Sequence, residues 1–157
     1  MAEVLPPFQR LLVAHAVDVH RFLVASVGPQ EAEDCFQETF LAALRAYPRL
    51  RDAANLRGWL LTIASRKAVD SHRRRGRAPE PHAEVPDRPR PPPPERETAM
   101  WEAVRSLPPK QRSAVAHRFL LDLSHAEIGQ VLGCSEEAAR RNVHEGVKKL
   151  REAGWTR

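Results

Sequence analysis

Residues 123–152 read LSHAEIGQVLGCSEEAARRNVHEGVKKLRE. Ser124 followed three residues later by Glu127 is a capping box, in which the two side chains satisfy each other's orphan backbone amides. The short helix it opens ends at Gly133, a residue free to take the left-handed turn conformation. Ser135 caps the next helix, and Glu136 and Glu137 suit the positive end of that helix's dipole. Two capped helices joined by so short a turn form a helix-turn-helix pattern. Ile128, Val131, Leu132, Ala138, Ala139 and Val143 fall where the helices would pack. Glu137, Arg140, Arg141, His144 and Lys148 then share the outer side of the second helix. Arg140 and Arg141 have the chemistry to donate to guanine edges or phosphates. An ordinary helical hairpin with a solvated charged face fits the same spacing.

Outward from this element, the rest of the chain also reads as helix. Pro108-Pro109 opens a helix through Val115, Phe119, Leu120 and Leu121, and an earlier one covers about residues 97–106. Near the N-terminus Pro6-Pro7 opens a helix with Phe8, Leu11, Leu12, Val17, Phe22 and Leu23 at apolar positions up to Gly28. Pro29 starts a second, with an apolar face of Ala32, Cys35, Phe36, Phe40, Ala43, Leu44 and Tyr47 and a stop at Pro48. Asn55 caps a third, with Leu56, Trp59, Leu60, Ile63 and Ala64 facing a core. No strand or hairpin signal occurs. The fold class is all-α.

Eight of the 14 prolines fall between Pro79 and Pro94, amid alternating charges and few apolar residues. Such a stretch cannot bury enough surface to offset its ordering entropy. It reads as a Pro-rich flexible linker over residues 77–98, between lobes at 1–76 and 99–157. About 20 residues at roughly 3.1 Å each reach about 60 Å. Residues 1–75 carry 11 Lys/Arg against 8 Asp/Glu, and residues 100–157 carry 10 against 7. Positive charge thus sits on both lobes, as a two-footed binder of a polyanion requires. The whole chain has 157 residues and a net charge of +5.

Composition excludes several other classes. No apolar run approaches the roughly 18 residues of a membrane span, and the N-terminal stretch lacks the pattern of a secretory signal. The only cysteines, Cys35 and Cys134, are far apart and form no CxxC, which points to a reducing cytoplasm. No nucleotide-binding glycine pattern is present, and the seven histidines are dispersed without HExxH or a His/Cys cluster. No catalytic residue, metal ligand or cofactor is therefore expected.

With these elements in place, the chain resembles the extracytoplasmic-function sigma factors, the smallest group in the main family of bacterial RNA polymerase sigma subunits. AEDCFQETFLAAL (residues 32–44) and NLRGWLLTIASRKAVDSHRRR (55–75) carry the resemblance in the first lobe. LPPKQRSAV (107–115) and residues 123–152 carry it in the second. The resemblance implies a region-2 bundle at 1–76 that binds core RNA polymerase and the −10 element. It implies a region-4 helix-turn-helix at 99–157 that binds the −35 element. The implied function is that of an alternative sigma factor, with core polymerase and promoter DNA as partners, an anti-sigma factor as a further partner, and no membrane insertion.

Residue by residue, Asp34, Gln37, Glu38, Phe40 and Leu41 match the segment that docks on the polymerase clamp. Arg57, Trp59, Ser65, Arg66, Lys67, Arg73 and Arg74 match the segment that handles the −10 strand, and Arg75 adds a cation there. Cations suit the phosphates of a melted strand, and aromatic rings suit its unstacked bases; Trp59, one turn before Ile63, also fits a core role. Arg140, Arg141, His144 and Lys148 match the −35 recognition helix. The chain departs from the family pattern at Arg66, commonly Asn, and at Glu145-Gly146, commonly more basic. Glu145 is expected to repel phosphates, and Gly146 to cost about 1 kcal/mol inside a helix. Two other readings remain open on the residues alone. One is a stand-alone helix-turn-helix regulator without polymerase binding; the other is a helical module whose basic faces bind an acidic protein.

Overall fold

The computed structural model describes residues 4–77 and 95–155. Most of the expected linker at 77–98 lies outside the described residues, as does the side chain of Arg75. Among the described residues there are seven α-helices and no strand. They are α1 (Phe8–Val27), α2 (Pro29–Ala46), α3 (Leu56–Arg77), α4 (Glu95–Arg105), α5 (Pro109–Leu120), α6 (His125–Leu132) and α7 (Glu136–Glu152). A 3-10 turn, Tyr47–Arg49, follows α2.

The sequence punctuation places most helix ends. Pro7 precedes α1 and Pro108 precedes α5, each with the fixed φ that begins a helix. Gly28 alone separates α1 from α2; its φ of 90° lets the chain reverse within one residue. Asn55 accepts from the Gly58 amide at 3.0 Å through its side chain and so caps α3.

In the first lobe α1, α2 and α3 pack against one another. Val19, Phe22 and Leu23 from α1 meet Ala32, Cys35 and Ala43 from α2 and Leu60, Leu61 and Ala64 from α3, all essentially inaccessible. Each large apolar side chain buried there contributes about 1.5–3 kcal/mol. Phe8, Phe36, Phe40 and Tyr47 form an aromatic cluster at one end, and the Tyr47 hydroxyl donates to the Pro6 carbonyl. The sequence placed Leu44 on the apolar face; the structure turns it outward, half exposed. It sits one turn past Phe40, in the last turn of α2.

In the second lobe α5 packs on both α6 and α7. The lobes also pack against each other, α1 on α4 and α5, and α3 on α6. Phe22 and His117 stack across this seam with ring centroids 4.3 Å apart, both at 0% exposure. Arg57 Nη2 donates to the Leu121 carbonyl at 3.0 Å. Buried Arg112 donates to the Ser26 carbonyl in the first lobe and to Leu107 in its own, and touches His72.

Candidate nucleic-acid interface

The helix-turn-helix is held by the local bonds its sequence implies. The Glu127 amide donates to Ser124 Oγ at 3.1 Å, and the Ser124 amide donates to Glu127 Oε2 at 2.7 Å. Gly133 takes the left-handed conformation, with φ 68°. Ser135 Oγ accepts from the Ala138 amide at 3.1 Å. One residue escaped the sequence reading. Gly129 is buried where the turn folds back over α6, and the Cys134 amide donates to its carbonyl at 2.9 Å. A Cβ on Gly129 would stand 2.7 Å from the Cys134 carbonyl oxygen. A glycine inside a short helix, six residues before a second cap, was the available signal.

Ile128 and Val131 pack against Ala139 and Val143, leaving Arg140, Arg141, His144 and Lys148 exposed along α7. Arg140 holds an exposed i,i+4 pair with Glu136 at 3.3 Å. Such a pair is worth only a few tenths of a kcal/mol and exchanges readily for a phosphate.

The two departures on α7 have a packing explanation. Glu145 accepts from Gln111 Nε2 at 3.1 Å, so its carboxylate is turned toward α5 and not along the row of cations. Gly146 is buried, and a Cβ there would lie 2.6 Å from Val115 Cγ2. The helix-propensity cost thus permits the close approach of α5 and α7.

On α3 the candidate residues have separate fates. Arg66 and Arg73 are exposed and Lys67 is half-buried. Arg57 is half-buried in an ion pair with Asp18 at 3.1 Å in addition to its bond to Leu121. Arg74 forms a two-pronged, exposed pair with Glu38 at 3.3 and 3.5 Å. Trp59 is half-buried, its ring 6.2 Å from Tyr47. Ser65 is only 5% exposed, and its hydroxyl has no hydrogen-bond partner. Ser65, Arg66 and Arg73 line one wall of a cavity of about 430 Å³, whose other wall includes Lys110, Cys134 and Asn142.

On α2, Asp34, Gln37 and Leu41 are exposed and Glu38 is half-buried. Phe40 is corrected from a contact residue to a core residue. It is 7% exposed, stacked on Phe36 at 4.8 Å, and supports the face without presenting itself to a partner. Leu44, which the sequence placed inside, joins Leu41 on the surface at 50% and 52% exposure. Leu44 continues the Phe36/Phe40 line by one turn, so helical spacing alone gave no signal that it faces outward.

The titratable groups nearby are shifted by burial. The His117 imidazole, accepted by the Ser113 carbonyl at Nδ1, is pushed down to about 4 by burial. Burial raises the Cys35 thiol, which keeps it protonated and inert. Among the described residues no group of His, Cys, Asp and Glu is arranged to hold a metal ion, and no helix is long and apolar enough to cross a membrane.

Comparison with known proteins gives concordant results. The family model for Sigma-70 region 2 matches residues 11–78, and that for Sigma-70, region 4 matches residues 97–150. The chain is 33% identical over 155 residues to the RNA polymerase sigma factor CarQ of Myxococcus xanthus, covering 92% of this chain and 87% of that protein. It is 33% identical over 161 residues to the ECF RNA polymerase sigma factor SigE of Mycolicibacterium smegmatis, covering 94% of this chain and 62% of that protein. In fold it is similar to the Bartonella quintana sigma factor RpoE, solved in complex with the anti-sigma factor NepR. That likeness has a TM-score of 0.75 at 21% identity and covers 92% of this chain and 94% of that one.

Proposed function

The chain belongs to the extracytoplasmic-function group of the sigma-70 family, and from that membership we propose how its residues divide the work of an alternative sigma factor. The family directs transcription initiation by bringing core polymerase to promoters. In this chain residues 1–76 bind core polymerase and the −10 element, residues 77–98 connect, and residues 99–157 bind the −35 element. The protein lowers no chemical barrier; its binding energy positions the polymerase and favours opened DNA.

The observation that carries the −35 assignment is the exposed row Arg140, Arg141, His144 and Lys148 on a helix fixed at its N-terminus by a capped turn. Such a helix enters the major groove with its N-terminal half foremost. On α3, Arg66, Lys67 and Arg73 supply cations to the melted strand, and Ser65 a polar wall. Leu41 and Leu44 form an exposed apolar step beside Asp34 and Gln37. That step suits a polymerase helix, and a stand-alone DNA-binding regulator has no use for it. An anti-sigma factor is a fitting further partner, as for the RpoE relative solved with NepR. The place of action is the cytoplasm, where polymerase and promoter meet.

Replacing Arg140 and Arg141 together with alanine tests the −35 assignment. Each base-reading arginine is worth about 1–3 kcal/mol, so the double variant is expected to lose ten-fold or more in promoter affinity as holoenzyme. An arginine that contacts phosphate would instead lower the salt slope by about one. Both residues are exposed, so the helical circular dichroism should not change. Unchanged footprinting and run-off transcription in both single variants and the double variant would remove α7 from promoter recognition.

A further inference from the structure

We propose that the cavity of about 430 Å³ between α3 and the α6–α7 turn binds a small organic phosphate of the nucleotide class. Arg66 and Arg73 line it from α3, and Lys110 lines it from the first turn of α5. All three are exposed, and among the described residues none of them is in an ion pair. Arg57, Arg74 and Arg140 are, by contrast, each held by a carboxylate. Asp70 is the one carboxylate in the lining, so three cations share the space with a single negative charge.

A second observation points to a ligand. Ser65, also in the lining, is 5% exposed, and its hydroxyl has no hydrogen-bond partner. Native structures pair nearly all such groups, because an unmade bond to a buried hydroxyl is costly. Arginine and lysine can only donate, and phosphate oxygens accept from several donors at once. One phosphate therefore answers both the unpaired cations and the unpaired hydroxyl.

The rest of the lining asks for more than a bare anion. Val69, Val131 and Leu132 give the cavity an apolar surface that suits the body of an organic ligand. Asp70 and Asn142 can accept from its amino or hydroxyl groups. The volume falls within the roughly 300–1,000 Å³ of small-molecule sites, which favour junctions between domains. Lys110 separates this site from the strand-handling role proposed for α3. A free nucleotide enclosed by both walls uses Lys110, whereas a strand lying on α3 does not.

The test is titration calorimetry of the full chain with ADP, adenosine and inorganic phosphate. ADP is expected to bind with a Kd below about 1 mM, and adenosine and phosphate each about ten-fold more weakly or worse. Lys110→Ala and Arg66→Ala should each lower ADP affinity about ten-fold, as loss of a charge-assisted hydrogen bond does. Arg49→Ala removes an exposed cation outside the cavity and should leave it unchanged. Ser65→Ala should weaken ADP about three-fold or more and, without ligand, raise the urea midpoint, since it deletes an unpaired buried group. A merely structural serine would lower that midpoint. Cys134, half-buried in the lining, reports the location: ADP should slow its reaction with a maleimide, while Cys35 stays buried. The absence of saturable ADP binding overturns the proposal. Phosphate or adenosine binding as tightly as ADP overturns the nucleotide class. ADP affinity unchanged in Lys110→Ala but lowered in Arg66→Ala would place the phosphate on α3 alone, which overturns the enclosed site and leaves the strand-handling reading of α3 standing.

Discussion

Replacing Gly129 with alanine is expected to destabilise the C-terminal lobe by about 2–3 kcal/mol, the upper part of the range for overpacking a filled site. The added methyl would meet the Cys134 carbonyl oxygen at 2.7 Å, with the backbone of Ser135 and Glu136 just beyond 3 Å. These are backbone atoms of the turn, so no rotamer change relieves the clash. The turn must move, and the Cys134 amide bond to the Gly129 carbonyl and the Ser135 cap are lost with it. Because α7 takes its direction from that turn, −35 affinity should fall together with stability. Gly133→Ala is the internal comparison. Its φ is 68°, but nothing lies within 4 Å of its added Cβ. Only the left-handed backbone cost applies, about 1–2 kcal/mol. Urea denaturation of the two variants ranks them; Gly129→Ala equal to or milder than Gly133→Ala would show that the turn does not press on α6 as described.

Acidification is expected to remove roughly 3 kcal/mol of stability through one side chain, His117. Its imidazole titrates near 6.5 when unfolded and at about 4 in the native chain. Burial beneath Phe22 is the main cause, the accepting Ser113 carbonyl opposes it, and Arg57 on α3 adds repulsion of the protonated ring. The native pKa is depressed, so the unfolded chain binds the extra proton first. The contribution is therefore complete above about pH 7, falls as pH drops through 6.5, and is exhausted near pH 4. His15 is shifted down as well, mainly by burial, and acts with the same sign. Subtraction isolates His117: the pH dependence of the urea midpoint should flatten between pH 7 and 4 in His117→Phe, which keeps an aromatic partner for Phe22. Equal slopes in the two proteins would mean that the native ring accepts a proton with ease.

Much of the fold was legible because its signals are local. Pro7, Pro29, Asn55, Ser124 with Glu127, Gly133 and Ser135 act on the backbone within four residues, and the helices begin and end where those residues dictate. What escaped depends on residues distant in sequence. Gly146 looks like a defect until Val115 of α5 is seen against it. Glu145 looks like a misplaced charge until Gln111 is found within 3.1 Å. Arg57 and Arg74 look like cations available to DNA, yet Asp18, 39 residues away, and Glu38, 36 away, hold them. Leu44 turned outward while Phe40 stayed buried, because an apolar stripe shows that a helix is amphipathic without fixing how far along it a neighbour covers. The packing of one lobe on the other left no trace in periodicity. Its contacts come from residues such as Phe22 and His117, whose burial each lobe alone would also explain.

This chain is expected to confer promoter recognition on RNA polymerase. Gel filtration of the purified chain with bacterial core polymerase, followed by run-off transcription with the eluted complex, tests it most directly. The expected result is co-elution with core and a defined transcript that core alone does not make. A chain that elutes apart from active core at low salt, and adds no transcript, would contradict the account.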